Sequence, residues 1–248
     1  MDKTNKKVAL ITGSTGGIGS ALCKRLYEEG YHVVGNCRCP EKGEKFRSEL
    51  ESMNYEIDMV EADVTDFDAV GRMIEDIETN IGPIDFLINN AGITKDMKFS
   101  KMSKNDWDEV INTDLNSVFN CARHVITGMV ERGFGRIVNI SSINAQKGQF
   151  GQTNYCAAKA GVHGFTKSLA LEVAKYGITV NTVSPGYIGT EMVMAVPENI
   201  RTQIISQIPV GRLGLIEEVA DAVSFLVSDK TSFITGSNLS INGGQHMY

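Results

Sequence analysis

Val8-Ala-Leu-Ile11 followed by Thr12-Gly-Ser-Thr-Gly-Gly-Ile-Gly19 is the stretch from which the fold is read. Four apolar residues in a row suit a strand buried in a parallel sheet. After the glycine-rich turn, Ala21-Leu-Cys-Lys-Arg-Leu26 carries apolar residues at helical spacing, and Gly30 is a stop. Strand, glycine turn and helix, in that order, bring backbone N–H groups and a helix N-terminus up to a pyrophosphate. Glycine is needed because a side chain in the turn would hold the backbone away from the phosphates. The spacing is Thr-Gly-x-x-x-Gly-x-Gly, at Thr12, Gly13, Gly17 and Gly19, and not Gly-x-Gly-x-x-Gly.

Outward from this turn the alternation continues. Strands are predicted at 32–36, 55–61, 84–88, 135–140, 179–183 and 238–241. Helices are predicted at 44–52, 70–81, about 107–132, 153–176 and 217–226. Thr65 or Asp66 caps the helix at 70–81 and Gly82-Pro83 stops it; Ser103 and Asp106 form a capping pattern ahead of Trp107. With no repeat or linker, residues 1–248 read as one α/β domain. The expected architecture is a doubly wound, Rossmann-like domain with a central parallel seven-stranded sheet and helices on both faces. Residues 187–212, with Met and Val among polar neighbours from Glu191 to Pro209, read as a mobile substrate lid.

Composition narrows the function. The 248 residues are 42% hydrophobic and 22% charged, as in soluble globular proteins. A net charge of −6 argues against a nucleic-acid partner, and no apolar run is long enough for a membrane span. The apolar run near the N-terminus is too short for a signal-peptide core, and five cysteines without Cys-x-x-Cys suggest reduced thiols. A cytoplasmic location is therefore expected. Cys37 and Cys39 are too close for a usual metal pair and the histidines are scattered, so no metal site is expected.

Tyr155 and Lys159 lie four apart in the predicted helix at 153–176 and share one of its faces. A free tyrosine has a pKa of about 10, and a neighbouring ammonium lowers it by favouring the phenolate. With the Ser142 hydroxyl on the same carbonyl, the trio suits a ketone whose oxygen gains a proton while its carbon gains a hydride. Ser141 reads as a structural hydroxyl. The second strand ends in Gly35-Asn-Cys-Arg38, without the carboxylate that would hydrogen-bond an NAD ribose. Arg38 suits a 2′-phosphate, so NADPH/NADP+ is expected over NAD.

The glycine turn, Asn89-Asn90-Ala91-Gly92, the thirteen-residue step from Ser142 to Tyr155, and Ser184-Pro185-Gly186-Tyr187-Ile188-Gly189-Thr190 together resemble the short-chain dehydrogenase/reductase family. The resemblance implies a cofactor cradle of Thr12, Gly13, Ser14, Thr15, Gly17, Ile18 and Gly19. It sets Gly35 and Arg38 at the ribose, and Asp63 and Val64 flanking the adenine. Asn90, Ala91, Gly92 and Ile93 follow at the carboxyl edge of the central sheet. Pro185, Gly186, Ile188 and Thr190 would meet the nicotinamide end, with Tyr155 and Lys159. Asp114 stands where many members carry an asparagine of the catalytic machinery; it can accept hydrogen bonds but not donate them, and its charge would raise the pKa of a nearby Lys159. The family's pairing of long helices across subunits implies a homotetramer.

The substrate is read from loops. Residues 146–154, Tyr187 and the ending Asn242-Gly-Gly-Gln-His-Met247 resemble the acetoacetyl-CoA reductases of polyhydroxyalkanoate synthesis, over nearly the whole chain. That likeness implies reduction of a small acyl-CoA, acetoacetyl-CoA, to (R)-3-hydroxybutanoyl-CoA, with Asp96, Gln149, Phe150, Gln152 and Tyr187 around the thioester. Lys95, Lys98, Lys101 and Lys104 would offer a basic rim to an anionic carrier, or else are a solvated face. The rival is a 3-oxoacyl-[acyl-carrier-protein] reductase. Such enzymes often carry two arginines at the entrance; Arg132 matches one, but Lys175-Tyr176 stands near the other. A non-catalytic NADP-binding sensor is the alternative of another class.

Overall fold

A computed structural model describes residues 6–247. In chain order the elements are β1 (Val8–Ile11), α1 (Gly17–Glu28), β2 (His32–Cys37), α2 (Pro40–Ser52), β3 (Asp58–Glu61), α3 (Phe67–Asn80), β4 (Ile84–Asn89), α4 (Lys104–Ile111), α5 (Ser117–Arg132), β5 (Gly135–Ile140), α6 (Asn144–Lys147), α7 (Thr153–Val173), β6 (Ile178–Pro185), α8 (Glu191–Met194), α9 (Glu198–Ser206), α10 (Ile216–Val227) and β7 (Asn238–Ile241). The seven strands form one sheet in the order β3-β2-β1-β4-β5-β6-β7. Every pairing is parallel. The predicted seven-stranded, doubly wound sheet is the one observed.

Helices cover both faces, which is why the central strands are apolar along most of their length. On one face α1, α2 and α10 bring Leu22, Leu26, Phe46, Leu50, Val223 and Leu226 over the sheet, α2 above β2 and β3 and α10 above β5 to β7. On the other, α3, α5 and α7 bring Ile74, Ile77, Val125, Met129, Ala170 and Val173 onto the opposite side of the same strands. Each fully buried Leu, Ile or Phe contributes about 1.5–3 kcal/mol relative to exposure, so these two layers hold the sheet flat against its helices. Strand order reverses between β1 and β4, and the crevice at that switch point opens at the carboxyl ends of the strands.

Several boundaries differ from the sequence reading. α2 starts at Pro40, one turn early, because proline suits the first helical position. β3 begins only at Asp58; Tyr55 instead packs edge-on against Tyr27 at 5.6 Å and donates its hydroxyl to Glu28 at 2.6 Å. Asp66 is the cap of α3, accepting from the Ala69 N–H at 2.9 Å. The predicted helix at 107–132 is α4 and α5 joined by a π-helical turn, Asn112–Asn116. Such turns widen the helix and gather at functional sites. The stretch expected to be a lid contains α8 and α9. Among the described residues no helix is long and apolar enough to cross a membrane, and no cluster of His, Cys, Asp or Glu suits a metal ion.

Candidate active site

The glycine turn after β1 is built by close backbone approach. Gly13 has φ +62°, and a Cβ there would lie 2.9 Å from the Ala91 Cα. At Gly19 a Cβ would meet the Gly13 carbonyl oxygen at 2.4 Å, and at Gly17 the Thr190 methyl at 3.2 Å. Thr12 Oγ1 accepts from the backbone N–H groups of Asn90 and Ala91, both at 3.0 Å. Asn90 Nδ2 donates back to the carbonyls of Thr12 and Gly13 at 2.9 and 3.1 Å. These bonds lock the end of β1 to the end of β4. The buried Ser14 hydroxyl donates to the Asn36 carbonyl and fills the space beside Gly35, where a Cβ would lie 2.7 Å from its oxygen.

Gly16 caps α1 without a side chain, and no acidic residue lies in the first turn. The helix therefore offers N–H groups and a positive dipole end with no anion of its own. At the end of β2 the Arg38 side chain is 79% exposed, with the Asp63 carboxylate 3.8 Å away. Asp63 is itself held by the Thr65 backbone N–H and hydroxyl at 2.9 and 2.7 Å. Val64 is buried beside it. The Ile143 N–H donates to the Pro185 carbonyl, and a Cβ on Gly186 would meet the Asn242 Cα at 2.9 Å. Ile188 is buried. The cradle fits a dinucleotide: a groove that a Cβ would fill, a helix start free of anions, and a guanidinium at the ribose end.

Ser142 follows β5; Tyr155 and Lys159 come from the first two turns of α7. Lys159 is buried, with Nζ 3.0 Å from the Ile140 carbonyl, 3.3 Å from Asp114 Oδ2 and 5.7 Å from the Tyr155 ring centroid. Asp114 is fully buried within the π turn, and its Oδ1 accepts from the Ile93 N–H at 2.8 Å. A Cβ at Gly92 would come within 2.9 Å of Asp114 Oδ2 and 3.2 Å of Lys159 Nζ. Ser141 is structural, donating to the Lys159 carbonyl at 2.9 Å.

Electrostatics correct one expectation. Burial pushes the Tyr155 phenol above the ordinary tyrosine value; the Lys159 ammonium pulls it down, Asp114 pushes it up again, and the Ser142 hydroxyl pulls it down, leaving it raised. Burial pulls the Lys159 ammonium down, but the charges of Asp114 and Tyr155 outweigh that and the net shift is up. Burial raises the Asp114 carboxyl, against the opposing pull of Lys159 and the Ile93 N–H.

The residues expected around the thioester are not alike. Phe150 is 80% exposed and Gln149 is exposed, in the segment between α6 and α7. Tyr187 is half-buried, with Lys147 Nζ 5.9 Å from its ring centroid. Gln152 is buried; its amide donates to Asp96 at 2.7 Å and its carbonyl accepts from Asn144 Nδ2 at 2.9 Å. In the expected basic rim, Lys95 pairs with Glu109 at 2.7 Å and Lys104 with Asp108, while Lys98 and Lys101 are exposed. Arg132 donates to the Ile84 carbonyl at 2.8 Å, at the amino end of β4 and so at the edge of the sheet opposite the site.

Sequence reasoning missed the residues that aim α7. Asn154 is buried; its Nδ2 donates to the carbonyls of Lys95 and Asp106, both at 3.2 Å, and its Oδ1 accepts from the Tyr155 N–H. Deeper in, Asn89 Nδ2 donates to Asn139 Oδ1 at 2.8 Å, and Asn139 Nδ2 to Thr166 Oγ1 at 2.9 Å, where the Thr182 hydroxyl also donates at 2.9 Å. Polar residues in otherwise apolar strands were the available signal.

A family model for short chain dehydrogenases matches residues 7–201. The chain belongs to that family. Among curated short-chain dehydrogenases it is 50% identical over 244 residues to the acetoacetyl-CoA reductase of Cupriavidus necator, covering 98% of this chain and 99% of that one. It is 53% identical over 241 residues to the acetoacetyl-CoA reductase of Rhizobium meliloti, covering 97% and 98%. Similarity to the 3-oxoacyl-[acyl-carrier-protein] reductase of Haemophilus influenzae is 42% over 241 residues, covering 97% and 98%. The glycine turn, Asn89-Asn90-Ala91-Gly92, Asp114, Ser142, Tyr155 and Lys159 all fall within the matched residues.

Proposed function

We propose that the protein reduces acetoacetyl-CoA to (R)-3-hydroxybutanoyl-CoA with NADPH, in the cytoplasm, as a homotetramer, and so supplies polyhydroxybutyrate synthesis. The observation that carries this reading is the half-identity to acetoacetyl-CoA reductases over almost the whole of both chains. The carrier-protein reductase reading has less support: identity is lower, and Arg132 is occupied at the far edge of the sheet.

NADPH supplies the hydride. Thr12, Gly13, Ser14, Thr15, Gly17, Ile18 and Gly19 would hold its pyrophosphate, Arg38 its 2′-phosphate, Asp63 and Val64 its adenine. Asn90 to Ile93, with Pro185, Gly186, Ile188 and Thr190, would line its nicotinamide half. In the chain's own share of the chemistry, Ser142 hydrogen-bonds the 3-keto oxygen and Tyr155 passes its phenolic proton to that oxygen as negative charge develops there. Lys159 stabilises the phenolate left behind. Phe150 and Tyr187 wall the short acyl group, and Gln149 reaches the thioester. Asp96 and Gln152 bind the substrate after exchanging their mutual bond.

The test is NADPH oxidation by the purified protein with acetoacetyl-CoA and with the same acyl group on acyl carrier protein. A higher kcat/KM on CoA is expected, and Tyr155→Phe lowers it by about a hundred- to ten-thousandfold. Preference for the carrier-protein thioester would overturn the CoA assignment, and full activity of Tyr155→Phe would overturn the proton donor.

A further inference from the structure

We propose that Asp114 is a positioning residue that cancels the charge of Lys159 and thereby holds Tyr155 as the protonated phenol, setting the site for ketone reduction at neutral pH. The proposal rests on the reading of Tyr155 as the proton donor. Its basis is geometric. Asp114 cannot turn freely, because Oδ1 is held by the Ile93 N–H at 2.8 Å. Oδ2 is thereby left facing Lys159 Nζ at 3.3 Å, within a turn that is fully buried. Apart from this ion pair, Oδ2 has no hydrogen-bond partner among the described residues. An asparagine held by the same N–H would set its NH2 group against the ammonium, donor to donor. The pair has room only because position 92 is glycine.

The phenol responds to the sum of the charges around it. An unpaired ammonium 5.7 Å from the ring centroid would favour phenolate. With a carboxylate 3.3 Å from that ammonium, the ring faces a dipole, whose field falls off faster than that of a lone cation. Burial then prevails, and the phenol is raised instead of lowered. The other groups nearby do not undo this. The Ser142 hydroxyl after β5 pulls the phenol down without reversing its direction, Cys156 on α7 adds to the upward push, and the Ile140 carbonyl binds the ammonium. Asp96 acts on Cys156 and Tyr187. Ketone reduction needs the phenol, while alcohol oxidation needs the phenolate, so Asp114 moves the oxidative limb to higher pH.

The test uses protein without cofactor or substrate, so a failed acetoacetyl-CoA assay would leave it readable. Phenolate absorbance is titrated for the native protein minus Tyr155→Phe, giving the Tyr155 midpoint. The midpoint is expected at or above the ordinary tyrosine value of about 10, and Asp114→Asn should lower it by about one unit, a tenfold change in the proton equilibrium. The pH midpoint of 3-hydroxybutanoyl-CoA oxidation should move down with it. A merely structural role would lower the melting temperature of Asp114→Asn and leave the midpoint where it was. Should Asp114→Asn fail to fold, Asp114→Ser keeps a short neutral acceptor for Ile93 and should give the same shift. A native midpoint well below the ordinary value, or the same midpoint in native and variant, would overturn the proposal.

Discussion

A Cβ at Gly19 would sit 2.4 Å from the carbonyl oxygen of Gly13, closer than any two such atoms can come. The last glycine of the turn is thus fixed by the first, through backbone alone. Gly19→Ala must open the turn or shift the start of α1. It is expected to cost about 1–3 kcal/mol of stability and to weaken NADPH binding at least tenfold, read by melting with and without NADPH.

Arg38 is the one guanidinium that the end of β2 offers to a ribose phosphate, and Asp63 beside it is already held by Thr65. A hydrogen bond to a charged group is worth about 1.5–3 kcal/mol. Arg38→Asp should therefore lower the ratio of kcat/KM for NADPH over NADH by about ten- to a hundredfold or more. An unchanged ratio would remove Arg38 from the cofactor assignment.

Phe150 leaves most of its ring in solvent. Covering it with an acyl chain would recover up to about 1.5–3 kcal/mol. Phe150→Ala should raise KM for acetoacetyl-CoA about tenfold with kcat little changed, and should not lower the melting temperature.

Leu171 on α7 is 85% exposed and Phe119 on α5 is 49% exposed. If the proposed tetramer pairs these helices between subunits, Leu171→Glu should split it into smaller species in light scattering without unfolding the subunit. An unchanged mass would place the subunit contact elsewhere.

Arg212 grips Glu218 with two hydrogen bonds, at 2.9 and 2.7 Å, and holds its carboxyl down at about 2. A depressed carboxyl stabilises the fold above its unfolded value of about 4.3. That contribution is lost as pH falls through the folded value. Arg212→Ala should return the Glu218 carboxyl toward the unfolded value in an NMR titration, and the join between α9 and α10 should loosen at a higher pH than in the native protein.

The strands and the nearness of Tyr155 to Lys159 were legible because each rests on a short-range rule: apolar runs for β1 and β4, a four-residue helical step for the pair. The π turn at Asn112–Asn116 was not, because the contacts of Asp114 within it, to Ile93 and Lys159, are tertiary and no local periodicity carries them. The same is true of the phenol. A tyrosine four residues from a lysine reads as acidified, yet burial and a carboxylate from another helix reverse the sign. Gln152 likewise reads as a free ligand in the sequence, and only the fold brings Asp96 and Asn144 to its two ends.

Asn89, Asn139, Thr166 and Thr182 run as a chain of hydrogen bonds from β4 across β5 to α7 and back to β6. A slip of one residue turns every side chain to the other side of its strand, and this chain would then lose its partners as well. A misaligned strand would strand several dry amides and hydroxyls at once. The core thereby works as a ruler, admitting a single setting of helix against sheet, and the Tyr155 hydroxyl near the head of that helix inherits its position from amides buried well below it.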